Sequence, residues 1–139
     1  MALNKLTPNL MVEDVNRTVE FYQEVLGFEF VMGVIEELQE VLTSYQQDRS
    51  LDYAMMKCGN VEIMFQAERS LSLAIPVLKG REIGGTFTLY IELDDVSDMY
   101  ARVKGTVTVV KDLHTTFYGM QELYIEDCNG YILAFAEAA

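Results

Sequence analysis

The chain repeats itself, and this constrains the fold more than any other feature, because self-similarity at a fixed offset marks one supersecondary unit used twice. Leu10-Met-Val-Glu-Asp-Val15 aligns with Ile91-Glu-Leu-Asp-Asp-Val96, matching Leu10 to Ile91, Val12 to Leu93, Asp14 to Asp95 and Val15 to Val96 at an offset of 81. Further on, Cys58-Gly-Asn-Val-Glu-Ile-Met-Phe65 aligns with Cys128-Asn-Gly-Tyr-Ile-Leu-Ala-Phe135 at an offset of 70, pairing Ile63 with Leu133 and Phe65 with Phe135. The fall from 81 to 70 gives the first copy about eleven extra residues, most simply within the polar stretch 36–50. Neither copy has enough of the 139 residues to bury a sizeable core alone, so the two are expected to share one.

Local signals agree between the copies. Residues 6–12 read as a strand, Asp14 as an N-cap, Val15, Val19, Tyr22 and Leu26 as one helical stripe, and Gly27 as its stop. Strands follow over 28–34, 53–57 and 61–66, the last two joined by a turn at Gly59-Asn60. The second copy gives strand 86–93, helix 96–104 capped by Asp95, and strands 107–110, 120–126 and 131–136 with a turn at Asn129-Gly130. The pattern is βαβββ twice, an α+β chain. Module one spans about 5–66, a partly helical linker 67–85 carries Pro76 and three glycines, and module two spans about 86–137, all within one domain, 1–139.

Composition narrows the partners. Ten basic against 22 acidic residues give −12, which repels phosphate backbones and anionic membrane surfaces and attracts cations. No nucleic-acid or membrane partner is expected. No apolar run approaches the roughly 20 residues of a membrane span, and the first twelve residues lack the basic and apolar segments of a signal peptide, so a cytoplasmic protein is expected. Cys58 and Cys128, without a CxxC or a neighbouring His, read as buried free thiols.

Leu10-x-Val-x-Asp14 followed by Phe21-Tyr22-x-x-x-Leu26-Gly27, with Gly119-Met-Gln-Glu122 leading to Asp127-x-Asn-Gly130 and Phe135, resembles the vicinal oxygen chelate superfamily: glyoxalase I, extradiol dioxygenases and bleomycin-resistance proteins. The resemblance covers about residues 5–137 and implies two tandem βαβββ modules forming a half-open barrel around a cavity, often paired as a homodimer. It also implies where a catalytic metal would be held, by His, Glu or Gln on the first and last strands of each module. Those positions read Thr7, Met64, Thr88 and Ala134, and a strand displaced by two residues would offer Asn9, Gln66, Tyr90 or Ala136. Neither set suits a hard or borderline divalent ion. No metal, no cofactor and no catalytic residue are therefore expected.

Alternation along the strands divides their faces. If Leu10, Val12, Ile63, Phe65, Leu133 and Phe135 pack under the helices, the opposite faces present Asn9, Met11, Glu62, Met64, Gln66, Tyr90, Glu92, Ile132 and Ala134. Leu123 and Ile125 are the better core pair of their strand, which turns Glu122 and Tyr124 to the cavity. The candidate ligand-binding set is thus Asn9, Met11, Glu62, Met64, Tyr90, Glu92, Glu122 and Tyr124. Carboxylates, thioethers and aromatic faces together suit a flat or bulky organic cation. His114 reads as an exposed loop residue near the cavity mouth, with Asp112 too near in sequence to be assumed its orienting partner, and Phe117 and Tyr118 could close over a ligand. The expected function is sequestration of a small organic, cationic or aromatic ligand without metal, resembling the bleomycin-resistance proteins. The alternative is a metal-dependent lyase, isomerase or dioxygenase.

Overall fold

The computed structural model describes residues 1–139, an α+β chain of two βαβββ modules, the first with one added strand. The residues form two compact units, 1–23 with 27–81 and 24–26 with 82–139. No helix is long and apolar enough to cross a membrane.

In the first unit β1 (Asn9–Val12) leads to α1 (Val15–Glu24), β2 (Glu29–Ile35), β3 (Glu40–Leu42), β4 (Tyr53–Cys58) and β5 (Val61–Ala67). Helix α1 starts where the Asp14 carboxylate accepts the Arg17 N–H at 3.1 Å, and the turn after it passes through Gly27 at φ 78°, a left-handed conformation that favours glycine. The helix buries Val15, Thr18, Val19 and Tyr22. The Tyr22 ring lies 4.7 Å from that of Phe65 on β5, so the sheet's inner face is the one bearing Ile63 and Phe65, as alternation requires. Thr18 tolerates burial because its hydroxyl donates to the Asp14 carbonyl at 2.8 Å.

The sheet runs β1-β5-β4-β2-β3, with β1 parallel to β5 and the other pairs antiparallel. Strand β1 is shorter than the expected 6–12. Pro8 has no N–H to donate, and its carbonyl takes the Met64 N–H at 2.9 Å just before regular pairing begins at Asn9. The inserted residues form a fourth antiparallel strand, with β3 folded back on β2 so that Gly33 pairs with Leu42. The remainder of the insertion is clamped by Asn16 of α1, which donates to the Arg49 carbonyl at 2.8 Å and accepts the Leu51 N–H at 2.9 Å. A Cβ on Gly33 would lie 2.9 Å from the side-chain tips of both Leu51 and Phe30, so a larger residue there would make these side chains shift. The following segment holds α2 (Glu68–Ala74) and a 3-10 turn (Pro76–Leu78).

The second unit contains β6 (Thr88–Glu92), α3 (Val96–Val103), β7 (Val109–Thr115), β8 (Met120–Glu126) and β9 (Ile132–Ala138), with sheet order β6-β9-β8-β7. Asp95 caps α3 by accepting the Asp98 N–H at 2.9 Å, and Glu137 accepts the Val96 N–H at 2.9 Å. Helix α3 packs on β8 and β9, over buried Leu123, Ile125, Leu133 and Phe135. The repeat holds at the level of hydrogen-bond register, since Leu10 pairs with Phe65 in one unit as Ile91 pairs with Phe135 in the other.

Two expectations need correction here. Strand β7 extends to Thr115, not to residue 110, so His114 stands on a strand and not in a loop. Register shifts between Val109 and Lys111 and between Lys111 and His114 interrupt the alternation, and an interrupted alternation in polar sequence looks like a loop. The cysteines are free but not buried: Cys58 is exposed at the end of β4, and Cys128 is partly exposed in the turn after β8. Both occupy hairpin ends, where no core face is available.

Candidate functional site

The chemistry of the second unit gathers on the face of the β6-β9-β8-β7 sheet that carries Glu122. That residue is only 2% exposed, yet its neighbours on β8, Met120, Leu123 and Ile125 excepted, are polar. A buried carboxylate is costly unless hydrogen bonds replace its water. Three phenols do so. Tyr90 of β6 donates to Oε2 at 2.6 Å, Tyr118 of the β7–β8 turn donates to the same oxygen at 3.0 Å, and Tyr124 donates to Oε1 at a looser 3.4 Å. On the β7 side, His114 is the register partner of Glu122, with Nε2 3.6 Å from Oε1.

The protons follow from this geometry. The hydrogen bond from Tyr90 does most to hold the Glu122 carboxyl below its ordinary range, with help from Tyr118 and from the charge of His114, against the opposing effect of burial. Tyr90 and Tyr118 are both raised, first of all because each donates to Glu122, whereas Tyr124 is raised first by burial and then by the Glu122 charge. Glu122 is therefore a carboxylate and the phenols remain protonated donors. His114 is oriented by Asp112 after all, but through the backbone: Nδ1 lies 2.7 Å from the Asp112 carbonyl oxygen, which can only accept. Its ring stacks on Tyr124 with centroids 6.3 Å apart and planes 20° apart, and Nε2 is buried without a hydrogen-bond partner.

The outer faces of the cluster stay open to a visitor. Tyr90 is 46% exposed and Tyr118 is 59% exposed, and the ring of Phe117 stands free of the turn, edge-on to Tyr118 at 5.2 Å. A phenol that donates its proton to an anion gains electron density in the ring, which strengthens attraction for a cation over its face. The arrangement can hold a positive, flat or bulky group by its aromatic faces, with the carboxylate behind them supplying the opposite charge.

Of the residues expected to bind ligand, the structure brings Tyr90, Glu122 and Tyr124 together. Glu92, on the same strand as Tyr90, is exposed and lines a separate open groove of about 400 Å³ with Asp94 and Glu137. The other four belong to the first unit. Asn9 donates to the Gln66 side chain at 3.0 Å and stands opposite Met64, Met11 is buried, and Glu62 is ion-paired with Lys5. Another groove, in the first unit and of about 560 Å³, has both of its cationic side chains already ion-paired, Arg49 with Glu40 and Arg69 with Asp52. Two members of the cluster, His114 and Tyr118, were outside the expected binding set. Reading residues 117–119 as a tight hairpin turn finds them, because Thr116 then faces Met120 and counting back sets Thr115 against Gln121 and His114 against Glu122.

The positions at which the resemblance would place a metal also shift. Thr7 precedes β1 and Thr88 pairs with Ile132, while the partners of Met64 and Ala134 across the parallel pairs are Asn9 and Tyr90. An amide beside a thioether, and a phenol beside a methyl group, do not fit a catalytic divalent ion. Nowhere do three His, Cys, Asp or Glu side chains converge as a metal-holding group.

Comparison with known proteins gives a family and a fold. The family model described as Glyoxalase/Bleomycin resistance protein/Dioxygenase superfamily matches residues 3–135. The structure is similar to that of a protein of unknown function from Agrobacterium tumefaciens str. C58, with a TM-score of 0.74 and 19% identity over 100% of this chain and 97% of that one. It is similar to a glyoxalase/bleomycin resistance protein/dioxygenase family enzyme from Burkholderia phytofirmans PsJN, with a TM-score of 0.71 and 20% identity over 96% and 97% of the two chains. It is also similar to the bleomycin-binding protein of Streptomyces verticillus, solved with copper(II)-bleomycin, at a TM-score of 0.60 and 17% identity over 97% and 96%. At these identities the likeness is one of fold. No curated protein sequence matches the chain.

Proposed function

Because the chain belongs to the Glyoxalase/Bleomycin resistance protein/Dioxygenase superfamily, whose members include binders as well as enzymes, we propose that it binds and sequesters a small organic cation, aromatic or amphipathic, at the Glu122 cluster. Fold alone does not choose between binding and catalysis, so the choice rests on the site. One observation carries it: a buried carboxylate kept ionised by three tyrosine hydroxyls, two of whose rings are half-exposed. Such a site needs only affinity to function, and nothing in it has to change protonation for a ligand to stay bound. The net charge of −12 adds steering, which raises the encounter rate for cations more than their affinity. A protein of the same fold is named for binding bleomycin, which supports the class of function.

The same reading includes a cytoplasmic location and a two-fold homodimer burying more than about 1,200 Å² in total. Free, accessible thiols accord with a reducing compartment. Light scattering at micromolar concentration tests the dimer, and a monomer there rejects it.

The binding test is calorimetric titration of wild type and Glu122→Gln with aromatic amines, cationic glycopeptides and glutathione thioesters. Cations are expected to bind, to weaken as salt rises, and to lose about tenfold or more in affinity in Glu122→Gln, a loss of about 1.4 kcal/mol or more. Preference for an anion, or turnover of a thioester by metal-loaded protein, would overturn the proposal.

A further inference from the structure

Building on the reading of the Glu122 cluster as a cation site, we infer that His114 sets the charge class of ligand that the site accepts. With the imidazole neutral the cluster is anionic and takes organic cations; with the imidazole protonated it is electrically neutral and releases them. The geometry leaves the ring two states. Its Nδ1 proton is committed to the Asp112 carbonyl, so in the neutral ring Nε2 presents a bare lone pair. That lone pair faces another acceptor, Glu122 Oε1, across 3.6 Å, too far for a hydrogen bond, and no other partner reaches it. A proton on Nε2 converts two facing acceptors into a donor and an acceptor of opposite charge.

The other titratable groups around the ring are held in their protonation states by their own contacts. From β8 it faces Glu122, which stays ionised, and Tyr124, which stays protonated. Tyr118 from the turn and Tyr90 from β6 reach it through Glu122, and both keep their protons. On its own strand, the Asp112 carboxylate takes the Leu113 N–H at 2.7 Å and bonds the Tyr100 hydroxyl from α3, while Lys111 stands at the register position of Tyr124. Stacking on Tyr124 and the bond to Asp112 hold the ring in place, so proton uptake changes charge without requiring the ring to turn. His114 acts through Glu122 and is a positioning residue for charge.

The chain contains a single histidine, which gives a clean readout. In proton NMR the lone imidazole resonance is followed against pH in wild type, Glu122→Gln and Tyr90→Phe. The imidazole resonance should respond to loss of the carboxylate charge and, in the opposite sense, to loss of the competing Tyr90 donor. Phenyltrimethylammonium, whose charge is the same at every pH, is then titrated calorimetrically at pH 5.5 and pH 8. Wild type should bind it about tenfold more tightly at pH 8, with proton release at intermediate pH, and His114→Gln should lose that dependence. An imidazole titration unmoved by either cluster variant overturns the inference, as does equal pH dependence in wild type and His114→Gln. If wild type binds phenyltrimethylammonium equally at both pH values, the cation site stands and the role of His114 falls. If it binds at neither, the cation reading falls, and the NMR titration still decides whether Glu122 and His114 are coupled.

Discussion

The two helix caps provide a matched experiment, because the repeat places the same residue at the same step of each module while the surroundings differ. Asp14 accepts the Arg17 N–H at 3.1 Å, and α1 has no acidic residue in its first turn. Asp95 accepts the Asp98 N–H at 2.9 Å, but α3 also has Asp98 in its first turn and the Glu137 carboxylate on the Val96 N–H at 2.9 Å. Truncating a capping aspartate to alanine costs about 0.5–2 kcal/mol. Asp14→Ala removes the only carboxylate at its helix start among these and should fall in the upper half of that range, about 1–2 kcal/mol. Asp95→Ala leaves Glu137 and Asp98 to satisfy a donor and complement the helix dipole, and should cost about 0.5–1 kcal/mol. Asp→Asn at either site keeps an acceptor and should cost only about half as much as alanine or less. Each variant also removes one of the charges behind the net −12, a small relief shared by all four. The assay is urea unfolding followed by circular dichroism. At a slope of about 1–3 kcal/mol/M, a 1.5 kcal/mol loss moves the midpoint by about 0.5–1.5 M. The reasoning fails if Asp95→Ala is the more damaging of the two, or if asparagine is as harmful as alanine at both sites.

Two further outcomes follow from the same structure. The Glu122 carboxyl is held in the folded chain below its ordinary value of 4.5, chiefly by the Tyr90 hydrogen bond, so its contribution is present above pH 4.5 and is lost as pH falls through the depressed folded value. The gap in urea midpoint between wild type and Glu122→Gln should therefore be widest at pH 6–7 and narrow below about pH 4.5, and a gap that stays constant down to pH 3 contradicts this account. With a thiol reagent, Cys58 should react first because it is exposed, while Cys128, partly covered and with the Asn129 amide 3.5 Å from its sulfur, reacts more slowly; a fast phase that survives Cys58→Ser contradicts the assignment.

By itself the sequence determined the architecture. The two offsets carried the βαβββ pattern, both caps and the core faces of β5, β8 and β9, because these depend on local periodicity and on residues that start or stop a helix. It also placed Glu122 and Tyr124 on one face, since two buried neighbours, Leu123 and Ile125, leave no other arrangement of β8. Only the tertiary structure decided what that face is. Tyr90 is 32 residues from Glu122 and meets it because β6 and β8 both flank β9, an adjacency set by a parallel pairing that no local signal encodes. His114 was legible only by counting back from the hairpin turn, because two register shifts on the other side of it break the strand's alternation, and its orientation came from a backbone carbonyl, which carries no side-chain signature. The charge state of the cluster belongs to this second level as well. A carboxylate in isolation has an ordinary proton affinity, and it takes three phenols, brought from one strand, one turn and its own strand, to keep it charged once buried.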